Sequence, residues 1–411
     1  MGPYTQPIVP IFTIPLLKGQ PQCLSFYPSR LQHRPSFLRA PYGQKTSEWH
    51  GVHAAKACLV VSATPILTFK CHLSLQHSKA MKATLRYLAG MAGPSGFGSN
   101  STAEQVTEDC SSFLPSAALT ALITGASSGI GAETARVLAK RGVRVVIAAR
   151  DLKKAREVKK NIQKETPKAE VILLEIDLGS FGSVQRFCSE FLALELPLNI
   201  LINNAGMFSQ NLEFSEDKIE MTFATNYLGH FLLTEILLDK MIETAEKTCI
   251  QGRIINVSSV IHSWEKKDGF RFNDILSGKK YNGTRAYAQS KLANILHAKE
   301  IAKQLKARNA RVTINAVHPG IVKTGIIRAH KGLITDSLFF IASKLLKTTS
   351  QGASTTCYVA LSPKTEGISG KYFADCNECK CSSLANDESE AQKLWNNTHA
   401  LLHKRLRQAT I

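Results

Sequence analysis

A glycine-rich turn set between an apolar run and an amphipathic one leaves this chain few folds to choose from. Residues 121–124 form a short, largely apolar run, Thr124-Gly125-Ala126-Ser127-Ser128-Gly129-Ile130-Gly131 follows, and residues 132–140 carry apolar side chains at helical spacing. Glycine permits a tight turn, lets backbone approach a pyrophosphate, and opens a helix whose first N–H groups lack partners. The pattern predicts a strand–turn–helix unit in which Gly125, Ser127, Ser128, Gly129, Ile130 and Gly131 cradle a dinucleotide phosphate. The same alternation continues. Strands are expected at 144–148, 170–176, 199–203, 253–258, 311–317 and 370–373, and helices at 152–164, 183–194, 217–245 and 284–306. Such βαβ alternation implies an α/β fold, a doubly wound parallel sheet (Rossmann) in a single domain.

Chemistry-bearing residues sit where strands end. Arg150 closes the second strand, where an acid would bond a ribose 2′-hydroxyl; a cation there favours the 2′-phosphate of NADP(H) over NAD. Asp151, next in line, works against that preference. Asp177 and Leu178 end the third strand, to bond an adenine edge or to cap the next helix. Asn203-Asn204-Ala205-Gly206 follows the fourth strand with small residues that let backbone pass a cofactor closely, or form a simple turn. Tyr287 and Lys291 are four residues apart on one helix face, so the ammonium is expected to lower the phenol pKa toward working pH. Tyr287 then serves as general acid/base, and Ser259 holds the substrate oxygen as charge develops. Asn226, inside a helical pattern, is expected to fix a water beside Lys291.

Composition excludes wholesale disorder: 44% of the 411 residues are hydrophobic and 20% charged. The net charge of +19 is uneven, since residues 1–80 hold many Lys and Arg against the single acid Glu48. Anionic nucleotides, acidic membrane surfaces and nucleic acid suit it in descending order, and without an aromatic reading surface no nucleic acid is expected as a partner. No apolar run reaches the ~20 residues of a membrane span, and no secretory signal opens the chain. The ten cysteines do not form a disulfide framework. Cys376, Cys379 and Cys381 make a Cys-x-x-Cys-x-Cys cluster with no second pair at zinc spacing, and no metal is expected. Residues 1–103 lack periodicity and read as a disordered extension, with the domain spanning 104–411. That extension is either transit-like or an upstream segment without function, because Met81 is a natural start.

As a set, these motifs resemble the short-chain dehydrogenase/reductase family, from about Met81 nearly to the C-terminus. Arg253-Ile-Ile-Asn-Val-Ser-Ser, Tyr287-Ala-Gln-Ser-Lys-Leu-Ala-Asn, Val317-His-Pro-Gly and Gly367-Ile-Ser-Gly-Lys-Tyr-Phe point to its retinol-dehydrogenase-like branch. Within it the chain is most similar to plant members of the inner-chloroplast-envelope translocon, on Met81 and Gly93-Pro-Ser-Gly-Phe-Gly-Ser. The resemblance implies that Tyr287 is the catalytic acid/base, that Lys291 binds nicotinamide ribose, that Ser259 orients the carbonyl and that Asn226 supports a proton relay. It further assigns Arg150 to the nucleotide phosphate and Pro319, Gly320 and Thr324 to the nicotinamide end. It implies a chloroplast location, inner envelope or stroma, with cytoplasm as the alternative.

Residues 333–346 are apolar and form either a lid accepting a hydrophobic alcohol or carbonyl, or a helix packed on the core or a second copy in a homo-oligomer. The tail at 390–408 is basic and amphipathic; it suits calmodulin or a membrane surface, or docks on its own domain. A rival to the enzyme is an NADPH-binding, redox-sensing subunit of an envelope import complex.

Overall fold

The computed structural model describes residues 86–113, 119–265, 272, 281–322 and 346–408, all within the compact unit Phe69–Ile411. Met81, Thr324 and residues 333–345 lie outside them. Among the described residues the strands are β1 (Thr120–Thr124), β2 (Arg144–Ala149), β3 (Val171–Glu175), β4 (Ile200–Asn203), β5 (Gly252–Val257), β6 (Val312–His318), β7 (Tyr372–Ala374) and β8 (Asn377–Cys379). The helices are α1 (Gly129–Lys140), α2 (Leu152–Glu165), α3 (Phe181–Ala193), α4 (Gly229–Thr248), α5 (Gly283–Ala307), α6 (Thr349–Leu361) and α7 (Glu388–Gln408).

One sheet runs in the order β3-β2-β1-β4-β5-β6-β7-β8, parallel except for the final β7–β8 hairpin. Its strands alternate strictly between two apolar layers. Leu122, Val146, Ala148, Leu201 and Ile254 face one core with α3, α4, α5 and α7. Ala121, Ile123, Val145, Ile147, Ile200, Ile202 and Ile255 face the other with α1, α2 and α6. Period-2 strands buried on both faces are what parallel crossovers require. Each fully buried Leu, Ile or Phe, such as Phe187 and Phe191 of α3, contributes about 1.5–3 kcal/mol. After β3 the chain returns to the far side of β1 to lay down β4, so the strand order switches between β1 and β4. A crevice opens at the carboxyl ends of strands at such a point. The glycine turn after β1 and the Asn-Asn-Ala-Gly turn after β4 both border it.

Three local differences from the sequence reading have physical causes. The helix expected over 217–245 starts only at Met221, because Lys218 adopts φ +57° and Phe214 bridges Glu220. The buried Glu220 carboxylate then accepts the N–H groups of Thr222 (2.9 Å) and Phe223 (2.7 Å) as a cap. A π-helical turn, Ala224–Leu228, precedes α4 and contains Asn226. Secondly, residues 86–103, expected in the extension, bond to the domain: Ser95 N–H donates to Asn377 Oδ1 (2.9 Å) and Ala103 N–H to Ser350 O (2.9 Å). Finally, α6 and β8 had no counterpart in the sequence reading.

Candidate functional site

The cradle is tight. Gly125 (φ +68°) donates its N–H to Ala148 O at 2.8 Å, and a Cβ on it would stand 2.8 Å from Ala205 Cα. A Cβ on Gly131 would stand 2.4 Å from Asn204 Nδ2 and 2.6 Å from Gly125 O, so neither position accepts a side chain. Ser127 and Ile130 are half-buried beside Gly129 (φ +57°), and Ser128 is the N-cap residue of α1. The Ser128 hydroxyl does not cap the helix, and its first turn holds no acid. That leaves the helix N-terminus suited to an anion. Arg150 is exposed just beyond β2, and no described residue pairs with it. Asp151, by contrast, is engaged: its carboxylate caps α2 through Lys154 N–H at 3.0 Å and pairs with Lys154 Nζ at 3.3 Å. The acid that could have competed for a ribose hydroxyl is thereby turned toward its own helix.

Asp177 Oδ1 accepts from Gly179 N–H at 2.8 Å, whereas Ser180 caps α3, so Asp177 is not the N-cap. Leu178 is buried, and its carbonyl lies where a Cβ on Gly229 would come within 2.3 Å. Asn204 is locked to β1: its N–H donates to Thr124 Oγ1 (3.0 Å) and its amide to Thr124 O (2.8 Å). Ala205 N–H also donates to Thr124 Oγ1, at 3.0 Å. A Cβ on Gly206 would meet Lys291 Nζ at 3.3 Å and Asn226 Oδ1 at 3.5 Å. The second turn therefore runs from the glycine cradle directly to the lysine.

Lys291 is 3% exposed on α5, and its ammonium donates to Val257 O at 3.0 Å and lies 5.5 Å from the Tyr287 ring centroid. Burial pulls its pKa down to about 8. Tyr287, half-buried with Phe208 edge-on at 5.6 Å, is pushed up to about 12 by burial. This reverses the expected direction: the ammonium lies beside the ring, and desolvation of the phenol outweighs it. Ser258 and Ser259 part company at the end of β5. Ser258 is buried and its hydroxyl donates to Lys291 O at 2.7 Å, while half-buried Ser259 has only a long 3.4 Å contact from Ile261 N–H. Ser259 O is held by His262 Nδ1 at 2.7 Å.

Asn226 is fully buried with both amide ends engaged. Oδ1 accepts from Met207 N–H (2.8 Å), and Nδ2 donates to Met207 O (2.9 Å) and Ser290 Oγ (3.0 Å). It fixes the loop after β4 to α5, a placing role that stands beside the expected one toward a water near Lys291. Pro319 is buried and Gly320 (φ +86°) packs on Lys347, whose Nζ pairs with Asp375 at 2.5 Å. Two residues passed over in the sequence, Thr124 and His230, join these turns; Thr124 opens the quoted glycine-rich run, and His230 stands four residues after Asn226. Among the described residues no group of three His, Cys, Asp or Glu side chains converges on a point that could hold a metal. No described helix is long and apolar enough to cross a membrane.

This geometry defines a class: oxidoreductases that bind a nicotinamide dinucleotide at the switch point of a parallel sheet. Comparison with known proteins narrows it. The profile of the short chain dehydrogenase family matches residues 119–269. The chain is 48% identical over 309 residues to short-chain dehydrogenase TIC 32 B, chloroplastic, of Brassica napus, covering 75% of this chain and 95% of that protein. It is 42% identical over 292 residues to human retinol dehydrogenase 14, covering 67% and 84%. Among solved structures, an uncharacterized protein from Mycobacterium paratuberculosis superposes with TM-score 0.54 at 30% identity, over 71% of this chain and 96% of that one. The chain belongs to the short-chain dehydrogenase/reductase family, oxidoreductases that use a nicotinamide cofactor on alcohol or carbonyl groups.

Proposed function

We propose that this protein is an NADP(H)-dependent dehydrogenase/reductase that interconverts a hydrophobic alcohol and its carbonyl, with Tyr287 as general acid/base. The observation that carries the reading is the buried Lys291 ammonium, held by Val257 O beside both the Tyr287 ring and Gly206. A lysine is buried at such cost only where something requires its charge. Gly125, Gly129, Gly131 and the first turn of α1 would hold the pyrophosphate, Arg150 the 2′-phosphate, Asp177 and Leu178 the adenine side, and Lys291 the nicotinamide ribose. Pro319, Gly320 and Thr324 would border the nicotinamide. The cofactor, when bound, supplies or accepts the hydride.

In reduction Tyr287 gives its proton to the substrate oxygen, and in oxidation it takes that proton back. Ser259 holds the oxygen through its hydroxyl, and Asn226 keeps Met207 and Ser290 in place around the pair. The apolar residues Leu212, Phe214, Val260, Trp264 and Ile321 are exposed in segments that follow β4, β5 and β6, which supports an apolar substrate. The capping role of Asp151 supports NADP(H) over NAD, because it leaves Arg150 as the charge free to meet a 2′-phosphate.

A panel of alcohols and carbonyls, with NADPH and NADH, tests the reading. Tyr287→Phe is expected to lower turnover on the order of 10²–10⁴-fold with NADPH binding kept; unchanged turnover would sink the mechanism.

A second reading, a redox-sensing NADPH-binding subunit of a chloroplast envelope import complex, is favoured by the likeness to a chloroplastic relative over nearly its whole length. It predicts nucleotide-dependent recovery of partners from envelope membranes. The same likeness supports a plastid location, at the inner envelope or in the stroma.

A further inference from the structure

We propose that His230 is a positioning residue that couples the nucleotide cradle to the turn carrying Asn226 by fixing the direction of the Thr124 hydroxyl; this rests on the reading of residues 125–131 and 203–206 as a dinucleotide cradle. His230 lies in the first turn of α4 and is 2% exposed. Its Nδ1 is 3.1 Å from Asn226 O and its Nε2 is 2.8 Å from Thr124 Oγ1. A carbonyl only accepts, so Nδ1 carries the proton. In the neutral ring Nε2 is then an acceptor, and the Thr124 hydroxyl donates to it. With its proton so committed, Thr124 Oγ1 presents its lone pairs to the N–H groups of Asn204 and Ala205, both at 3.0 Å.

The alternative direction is present in the same structure. Thr124 Oγ1 also stands 3.4 Å from Ile202 O, a weaker acceptor position to which the hydroxyl would turn if the imidazole were absent. Burial keeps the ring neutral, pulling its pKa down to about 3, and the Lys291 ammonium acts in the same sense. A doubly protonated ring would present donors to both neighbours and force Thr124 to accept, at the expense of an Asn204 or Ala205 bond. One imidazole thus imposes a single polarity on a chain of bonds from the π turn, through β1, to the turn after β4. The consequence reaches the cofactor surface, because Gly125 packs against Ala205 and the Asn204 amide donates to Thr124 O at 2.8 Å.

The test is NADPH titration of the full chain and of His230→Phe, Thr124→Val, the double variant and His230→Gln. Each of the first two is expected to raise the NADPH Kd about tenfold, the scale of one lost buried hydrogen bond. Because both interrupt the same chain, the double variant should stay within about threefold of the worse single one. His230→Gln keeps one donor and one acceptor, and should return to within about threefold of the parent. A merely space-filling histidine would give the opposite ranking, with Phe tolerated and Gln not. Effects that multiply to about 100-fold in the double variant would overturn the coupling. Should His230→Phe fail to fold, unchanged NADPH affinity in Thr124→Val overturns it equally. Binding is read without turnover, so failure of the Tyr287 mechanism would leave these outcomes intact. A parent chain that does not bind NADPH would remove the cradle reading and this inference together.

Discussion

Lys291 and Tyr287 show how burial sets the working protonation of a site. Tyr287 stays a proton donor up to about pH 12 by its own environment, whereas Lys291 loses its charge near 8. The slope of kcat/KM against pH reports groups of the free enzyme. Carbonyl reduction should therefore lose kcat/KM as pH rises through about 8, the limb belonging to the ammonium and not to the phenol. Lys291→Arg, whose charge does not titrate in this range, should lower the rate but flatten that limb. A limb that persists in Lys291→Arg would assign the titration elsewhere. At this scale the sequence was informative about identity and poor about contacts. Gly131, Asn204, Tyr287 and Lys291 stand out by spacing alone. What the Asn226 amide bonds depends on chain reversals that no local pattern encodes, whereas the Asp151 cap is a local contact three residues long. His230 stands four residues after Asn226, but its partner Thr124 lies 106 positions away.

Among elements, α7 separates what a sequence pattern permits from what the fold does with it. Its apolar stripe suits a partner protein or a membrane as well as a core. Here Leu394, Leu401 and Leu402 are buried, and the Trp395 ring lies 4.9 Å from that of Phe231. The outward side, with His403, Lys404 and Arg407 exposed, is basic. Calmodulin holds helices by apolar anchors, so binding here must compete with docking of α7 on its own domain. Leu394→Ala should lower unfolding free energy by about 2–5 kcal/mol, read by denaturant titration. Calcium-dependent calmodulin retention, if α7 is the site, should be lost from a chain ending at Asp387; equal retention of that shortened chain would locate the site elsewhere. The parallel strands were legible because burial on both faces writes continuous Val, Ile and Leu. α6 was not, because residues Gly352–Leu361 are buried all round and carry no amphipathic period. β8 hid in Asn377–Cys379, three residues without a β-branched side chain.

Over the whole molecule, imidazoles packed against the sheet and at the end of β6 make folding sensitive to acid. His230 and His297 are held neutral with pKa values near 3, and His318 near 4, burial being the main cause for each. Once unfolded, each would take up a proton at about 6.5. Their folded-state values lie below the unfolded ones, so the unfolded chain binds more protons between those limits. Stability is then complete above about pH 6.5 and is lost as pH falls toward 4 and 3. One pKa unit corresponds to about 1.4 kcal/mol, so three such groups give a slope approaching 4 kcal/mol per pH unit well below 6.5. Carboxylates act later on the same descent, since Arg136 holds Glu104 and Glu133 below their usual range. Denaturant midpoints at pH 7, 6 and 5 distinguish the two, because the histidine part begins a full unit or more above the carboxylate part. Replacing His297 by Gln, away from the cradle and already bonded to Asn256 at 3.3 Å through Nδ1 alone, should remove about a third of the slope. A denaturation midpoint that does not move between pH 7 and 5 would mean these imidazoles are hydrated or protonated in the fold, and that the core behind β4 and β5 admits water.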